Sequence, residues 1–146
     1  MNASFPHPES RIPELIERLG HADRLERVHA AVDLVRLGRR GHPLVEPLSA
    51  ALKDKRPVVR KMAALVLGDL ASEVCDAAPA LAVALCDVDE GVRRRAAVAL
   101  SQFGPAAAAA VPALRIALLD PDEGVRSFAA AALVMIEPKG ARAQAA

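Results

Sequence analysis

Glu90-Gly-Val-Arg-Arg-Arg-Ala-Ala-Val-Ala-Leu-Ser-Gln-Phe-Gly104 is one of four copies of a single phrase. Shifted 33 residues forward it becomes Glu123-Gly-Val-Arg-Ser-Phe-Ala-Ala-Ala-Ala-Leu-Val-Met-Ile136. Shifted 33 back it becomes Pro57-Val-Val-Arg-Lys-Met-Ala-Ala-Leu-Val-Leu-Gly-Asp-Leu70, and one step further Arg24-Leu-Glu-Arg-Val-His-Ala-Ala-Val-Asp-Leu-Val-Arg-Leu-Gly38. No gap is needed. Arg27, Arg60, Arg93 and Arg126 share one column, Ala30, Ala63, Ala96 and Ala129 a second, and Leu34, Leu67, Leu100 and Leu133 a third. The stretch ahead of each copy repeats as well, with Leu15, Leu48, Leu81 and Leu114 aligned, and Leu19, Leu52, Leu85 and Leu118. A fixed period of this length marks a repeat array, in which each unit covers its neighbour's apolar face.

Each unit contains two short amphipathic segments, so the spacing predicts an all-α solenoid of four helix pairs. Composition agrees: 53% of the chain is hydrophobic, yet only 2% is aromatic, with Trp and Tyr absent. A core of Ala and Leu suits closely approaching helices better than a sheet, which favours β-branched and aromatic side chains. We expect a flexible lead-in over 1–10, one repeat domain over 11–138 with units of about 11–40, 41–73, 74–104 and 105–138, and a tail over 139–146. Gly38 and Gly41 bracket Arg39-Arg40 and read as a helix stop and turn. Pro57 suits a helix start, where its missing N–H costs nothing. The acidic breaks Asp87-Val-Asp-Glu90 and Asp120-Pro-Asp-Glu123 place carboxylates at the positive end of each second helix.

The phrase Val111-Pro-Ala-Leu-Arg-Ile-Ala-Leu-Leu-Asp-Pro-Asp-Glu-Gly-Val-Arg126 resembles HEAT repeats, particularly the short bacterial kind found in phycobilisome lyases. The resemblance spans nearly the whole chain. It implies a right-handed stack of antiparallel helix pairs with the second helices on the concave surface. It also implies that the column arginine runs as a ladder and bonds the aspartate of the intra-repeat turn. Asp54, Asp87 and Asp120 form that aspartate column, and His21 stands there in the first unit. Arg27, Arg60, Arg93 and Arg126 with these aspartates are therefore read as structural. Fold alone does not assign a role, because one scaffold serves many functions.

The residues for chemistry are sparse. All four histidines lie in the first 42 residues, and none forms the His-Glu pairs of HEAT-type metal-dependent hydroxylases. Cys75 and Cys86 are too few and too far apart for a zinc or redox motif. No serine or cysteine sits beside a plausible base. We expect no enzyme activity, metal or cofactor. A formal charge of +1 disfavours a dedicated nucleic-acid binder, leaving only weak backbone contact through Arg93-Arg94-Arg95, Lys61 and Arg39-Arg40. Neither a leader sequence nor an unbroken apolar run of spanning length is evident, so a cytoplasmic protein without membrane contact is expected.

Helix periodicity puts columns 59, 63, 67 and 70 on the packed face of the second helix and columns 61, 65, 68 and 72 opposite. Solvent-facing places there should be polar, but they hold Val28, Val32, Val35, Leu65 and Val98, continued by Val134, with Lys61, Arg94, Arg39 and Arg40 alongside. An apolar floor with a basic rim predicts a scaffold or binding module whose protein partner offers an apolar, acid-flanked segment. The family resemblance leaves an accessory subunit of a phycobilin-type chromophore lyase as the alternative. On the first helices, Val83, Cys86, Ile116 and Leu119 replace the Glu17, Gly20, Ala50 and Lys53 of earlier units. That change predicts a homodimer through the C-terminal half.

Overall fold

A computed structural model describes residues 7–137. The 139–146 tail and most of the lead-in lie outside the described residues. Within them helices alternate with short turns, and there is no strand. Four helix pairs follow one another: α1 (Ile12–Arg18) with α2 (Arg24–Arg39), α3 (Val45–Ala51) with α4 (Pro57–Asp69), α5 (Ala78–Ala84) with α6 (Glu90–Phe103), and α7 (Val111–Ala117) with α8 (Glu123–Ile136). Single 3₁₀ turns at Pro8–Arg11 and Cys75–Ala77 and a longer one at Gly104–Ala110 lead into α1, α5 and α7. Thus the expected lead-in already turns helical at Pro8.

The local signals act where the sequence places them. Asp23, Asp89 and Asp122 cap α2, α6 and α8, each carboxylate accepting an amide of the first turn. Pro57 opens α4. One stop differs from expectation. Helix α2 runs through Gly38 to Arg39, and Gly41, at φ 86°, makes the left-handed turn instead. Gly38 is buried because Leu70 packs where its Cβ would stand.

The stack buries the columns that the period singled out. Val59, Ala63, Leu67 and Leu70 are wholly inaccessible, and Leu15, Leu34, Leu48, Leu81, Leu100 and Leu114 join them in one continuous core. From α4 onward the second helices press on one another more closely than the first helices do. The resemblance to HEAT repeats implies that this layer, α2, α4, α6 and α8, is the concave wall.

That wall is not evenly built. A Cβ on Gly68 would lie 3.1 Å from the Ala99 Cα, so α4 and α6 nearly touch backbone to backbone there. Equivalent places at the α6–α8 seam hold Ser101 and Ala132; at the α2–α4 seam they hold Val35 and Val66. The two valines act as a spacer, and α2 lies less closely on α4 than α4 does on α6. Gly68 consequently belongs to the packed seam, although helix periodicity assigned column 68 to the open face.

Candidate functional site

Two rows of ion pairs fix the spacing of the units. Arg60 Nη1 donates to the carbonyls of Asp54 and Lys55 in its own turn, at 2.7 and 3.2 Å. Its Nε and Nη2 donate to Asp87 of the following turn, at 2.7 and 2.9 Å. Arg93 repeats this arrangement, taking the carbonyls of Asp87 and Val88 and then both oxygens of Asp120. The aspartate that each arginine grips is therefore the next unit's, 27 residues on, rather than that of its own turn. Each aspartate also accepts the amide two residues later, Asp89 N–H on Asp87 and Asp122 N–H on Asp120. These forked, charge-assisted bonds are the strong class of hydrogen bond. Burial pushes the Asp87 carboxyl up, but the Arg60 bond and the Asp89 amide outweigh it and hold it below its ordinary range. Asp120 is held low chiefly by Arg93.

The ends of this ladder differ. Arg27 donates to the carbonyls of His21 and Ala22, yet among the described residues nothing joins it to Asp54. Asp54 is taken by Arg56, whose guanidinium also forks onto Glu17 at 2.6 and 3.0 Å. Arg126 makes the own-turn contacts, to Asp120 O and Pro121 O, and is exposed.

A second row replaces the expected basic rim. Lys61 reaches 3.9 Å from the cap residue Asp89, and Arg94 forks onto Asp122, with Nε–Oδ1 at 2.7 Å. Arg94 holds the Asp122 carboxyl far below its ordinary range. The two cations are thus engaged across seams. Where the cap position carries Arg56 instead of an acid, the preceding unit has Val28 instead of a cation. Arg39 is a cation at this groove that is exposed and has no ion pair among the described residues, and Arg36 lies beside it.

The apolar stripe divides along the wall. Val28 and Val32 are 41% exposed, while Val35, Leu65 and Val98 are half-buried. At the wide α2–α4 seam, Val28, Val32, Val35, Met62 and Leu65 line a groove of about 430 Å³ whose polar residues are Arg36, Arg39 and Asp69. Val98 lies outside it, on the closed part of the wall. The sequence reading missed Met62 and Asp69, because a single helix period does not say which residues of the next helix face it. On the convex side, Val83, Ile116 and Leu119 are 69%, 70% and 86% exposed, and Cys86 is exposed too. Val83 and Cys86 border a larger hollow of about 710 Å³ between α3 and α5, edged by the charged turn Lys53–Lys55. Among the described residues, no group of three or more His, Cys, Asp or Glu is placed to hold a metal. The run Glu90–Ala117 has the length and apolarity of a membrane span, but it is half-buried in the stack and turns at Gly104, φ 54°.

A family model for HEAT repeats matches residues 12–82 and 73–134. The chain belongs to the HEAT repeat family. Among solved structures, this HEAT chain is similar to the complex of CpcE and CpcF of phycocyanin lyase from Nostoc sp. PCC7120, at 22% identity and a TM-score of 0.77, over 93% of this chain and 86% of that one. It is similar to an engineered protein at 26% identity and a TM-score of 0.60, covering 86% of this chain and 62% of that. Human deoxyhypusine hydroxylase in complex with glycerol is 32% identical with a TM-score of 0.65; the match covers 86% of this chain but only 43% of the hydroxylase. No curated protein sequence matches. These likenesses establish the all-α solenoid.

Proposed function

We propose that this HEAT array is a non-catalytic protein-binding module whose concave groove between α2 and α4 holds an apolar segment of a partner. One observation carries the reading: the Val35–Val66 spacer leaves an apolar cleft of about 430 Å³ at one seam while the neighbouring seam is closed over Gly68 and Ala99. Half-exposed Val28, Val32 and Leu65 offer the floor, an apolar stripe that suits a helix laying one apolar face into a groove. Arg39 at the groove's end favours an acidic flank on the partner, in place of the Lys61 and Arg94 rim. Selection of displayed helical peptides against the wild-type chain, with counter-selection on Leu65→Asp, tests it. Enriched peptides should carry apolar residues at helical spacing beside an acid. If no enriched peptide distinguishes the two proteins, the groove is not a docking site.

The exposed Val83, Ile116 and Leu119 support a second proposal, that two copies associate through the C-terminal half of the convex side. Membrane and nucleic-acid contact are not part of the proposed role. The lyase-accessory reading rests on likeness of fold to the CpcE–CpcF complex.

A further inference from the structure

The two ends of the stack are finished differently. At the N-terminal end, Glu26 stands in the column otherwise held by the inaccessible Val59, Val92 and Val125. Asp33 stands in the column of Val66, Ala99 and Ala132. Arg18 pairs with Glu26, and Arg36 and Arg11 approach Asp33 at 3.4 and 3.9 Å. Those charges make a polar cap of the kind a terminal repeat needs. Among the described residues the other end carries the Arg115–Glu137 pair but no such charged columns. Leu118 is 37% exposed where Leu19, Leu52 and Leu85 are at most 6%, and Val134 is 61% exposed in the column of the buried Gly68. Ala130 is open in a column where Ala64 and Ala97 are inaccessible.

Arg126 stands on this apolar end. Its Nη1 is held by its own turn's carbonyls, just as in Arg60 and Arg93, and those two use Nε and Nη2 to grip an aspartate of the following unit. We propose that the C-terminal end of the stack is a docking face for a helix pair of another polypeptide that brings a turn carboxylate to Arg126. The charge of the rung and the continuity of the seam select that occupant. A second copy stacked in register would present His21, not a carboxylate, and two such ends face to face would oppose Arg126 to Arg126. Residues 138–146 contain neither Asp nor Glu, so no side chain there supplies the acid.

A probe can be made from the chain itself. In one copy, His21→Asp, Glu26→Val and Asp33→Ala convert the capped end into an internal repeat face, and Val134→Glu blocks its own open end. With Ile116→Glu and Leu119→Glu placed in both proteins to remove the convex-side contact, the probe and the otherwise wild-type chain should form a one-to-one complex in light scattering, weakened by about tenfold to a hundredfold when the latter also carries Arg126→Ala. A probe with the wild-type helical spectrum that forms no complex at about 100 µM overturns the proposal. Should the probe fold poorly, residues 105–137 can be duplicated after residue 137 in the full chain. The added unit should raise Tm, and Asp→Ala at its place equivalent to Asp120 should remove most of the gain; an unchanged Tm is the refuting result. Wild type that assembles by itself and is dispersed by Val134→Glu would make the occupant a second copy, and that outcome refutes the carboxylate-bearing partner.

Discussion

Arg60 and Asp87 lie 27 residues apart and are joined at two points, Nε to Oδ2 at 2.7 Å and Nη2 to Oδ1 at 2.9 Å, across the boundary between successive units. Their side chains are only 10% and 11% exposed. A pair so sheltered is costly to break one-sidedly, because the survivor is left charged and unpaired.

Arg93→Ala should therefore lower unfolding stability by roughly 1–3 kcal/mol, leaving Asp120 and two turn carbonyls without their donor. Arg93→Lys should recover less than half of the loss, because an ammonium cannot fork onto a carboxylate. Urea denaturation of the three proteins measures both. A lysine variant as stable as wild type would show that only the charge matters.

Acid should loosen the stack. Asp54, Asp87, Asp120 and Asp122 are all held below the ordinary aspartate range. A depressed folded pKa supplies stability that is complete above the unfolded value, near 3.9, and is lost as pH falls through the folded values. Tm should stay level from neutral pH to about 5 and drop progressively below about 4. Asp120→Asn should start lower at neutral pH and show a shallower acid limb. Parallel acid limbs would remove Asp120 from this account.

Gly38→Ala should destabilise, although alanine gains about 1 kcal/mol of helix propensity over glycine. The new Cβ would stand 2.5 Å from one methyl of the fully buried Leu70 and 2.8 Å from the other. Overpacking of this kind costs about 1–3 kcal/mol and should prevail. A higher Tm for the variant would show that Leu70 has room to turn.

Self-association through the convex side predicts that the Ile116→Glu, Leu119→Glu double variant scatters light as a monomer while the wild type does not. Both side chains are exposed, so the helical spectrum should be unchanged. A monomeric wild type at tens of micromolar disposes of this dimer.

The 33-residue period made the fold legible, since Val59, Ala63, Leu67 and Leu70 could be placed in the core by counting alone. It could not decide which aspartate each arginine takes. A column alignment is unchanged when every unit slides by one period, so Asp54 and Asp87 are equal candidates for Arg60 until the units are stacked. The partners of the rim cations were hidden for the same reason. Along their own helices Lys61 shows no partner and Arg94 only Glu90, four residues back; Asp89 and Asp122 reach them across a seam. The groove itself was half legible: its valines stood out, but its width depends on Val35 and Val66 meeting where Gly68 and Ala99 meet one unit later.

The valine spacer also bears on how the molecule breathes. The first helix pair is attached across the loosest seam of the concave wall, without an Arg27–Asp54 rung, and Arg56 binds the exposed Glu17 instead. In a linear array each unit is held only by its neighbours, so local opening begins where that hold is least. Amides of α2 should exchange with deuterium before those of α6. A groove built on that seam is partly made and unmade by the opening, and whatever fills it must hold the first unit shut.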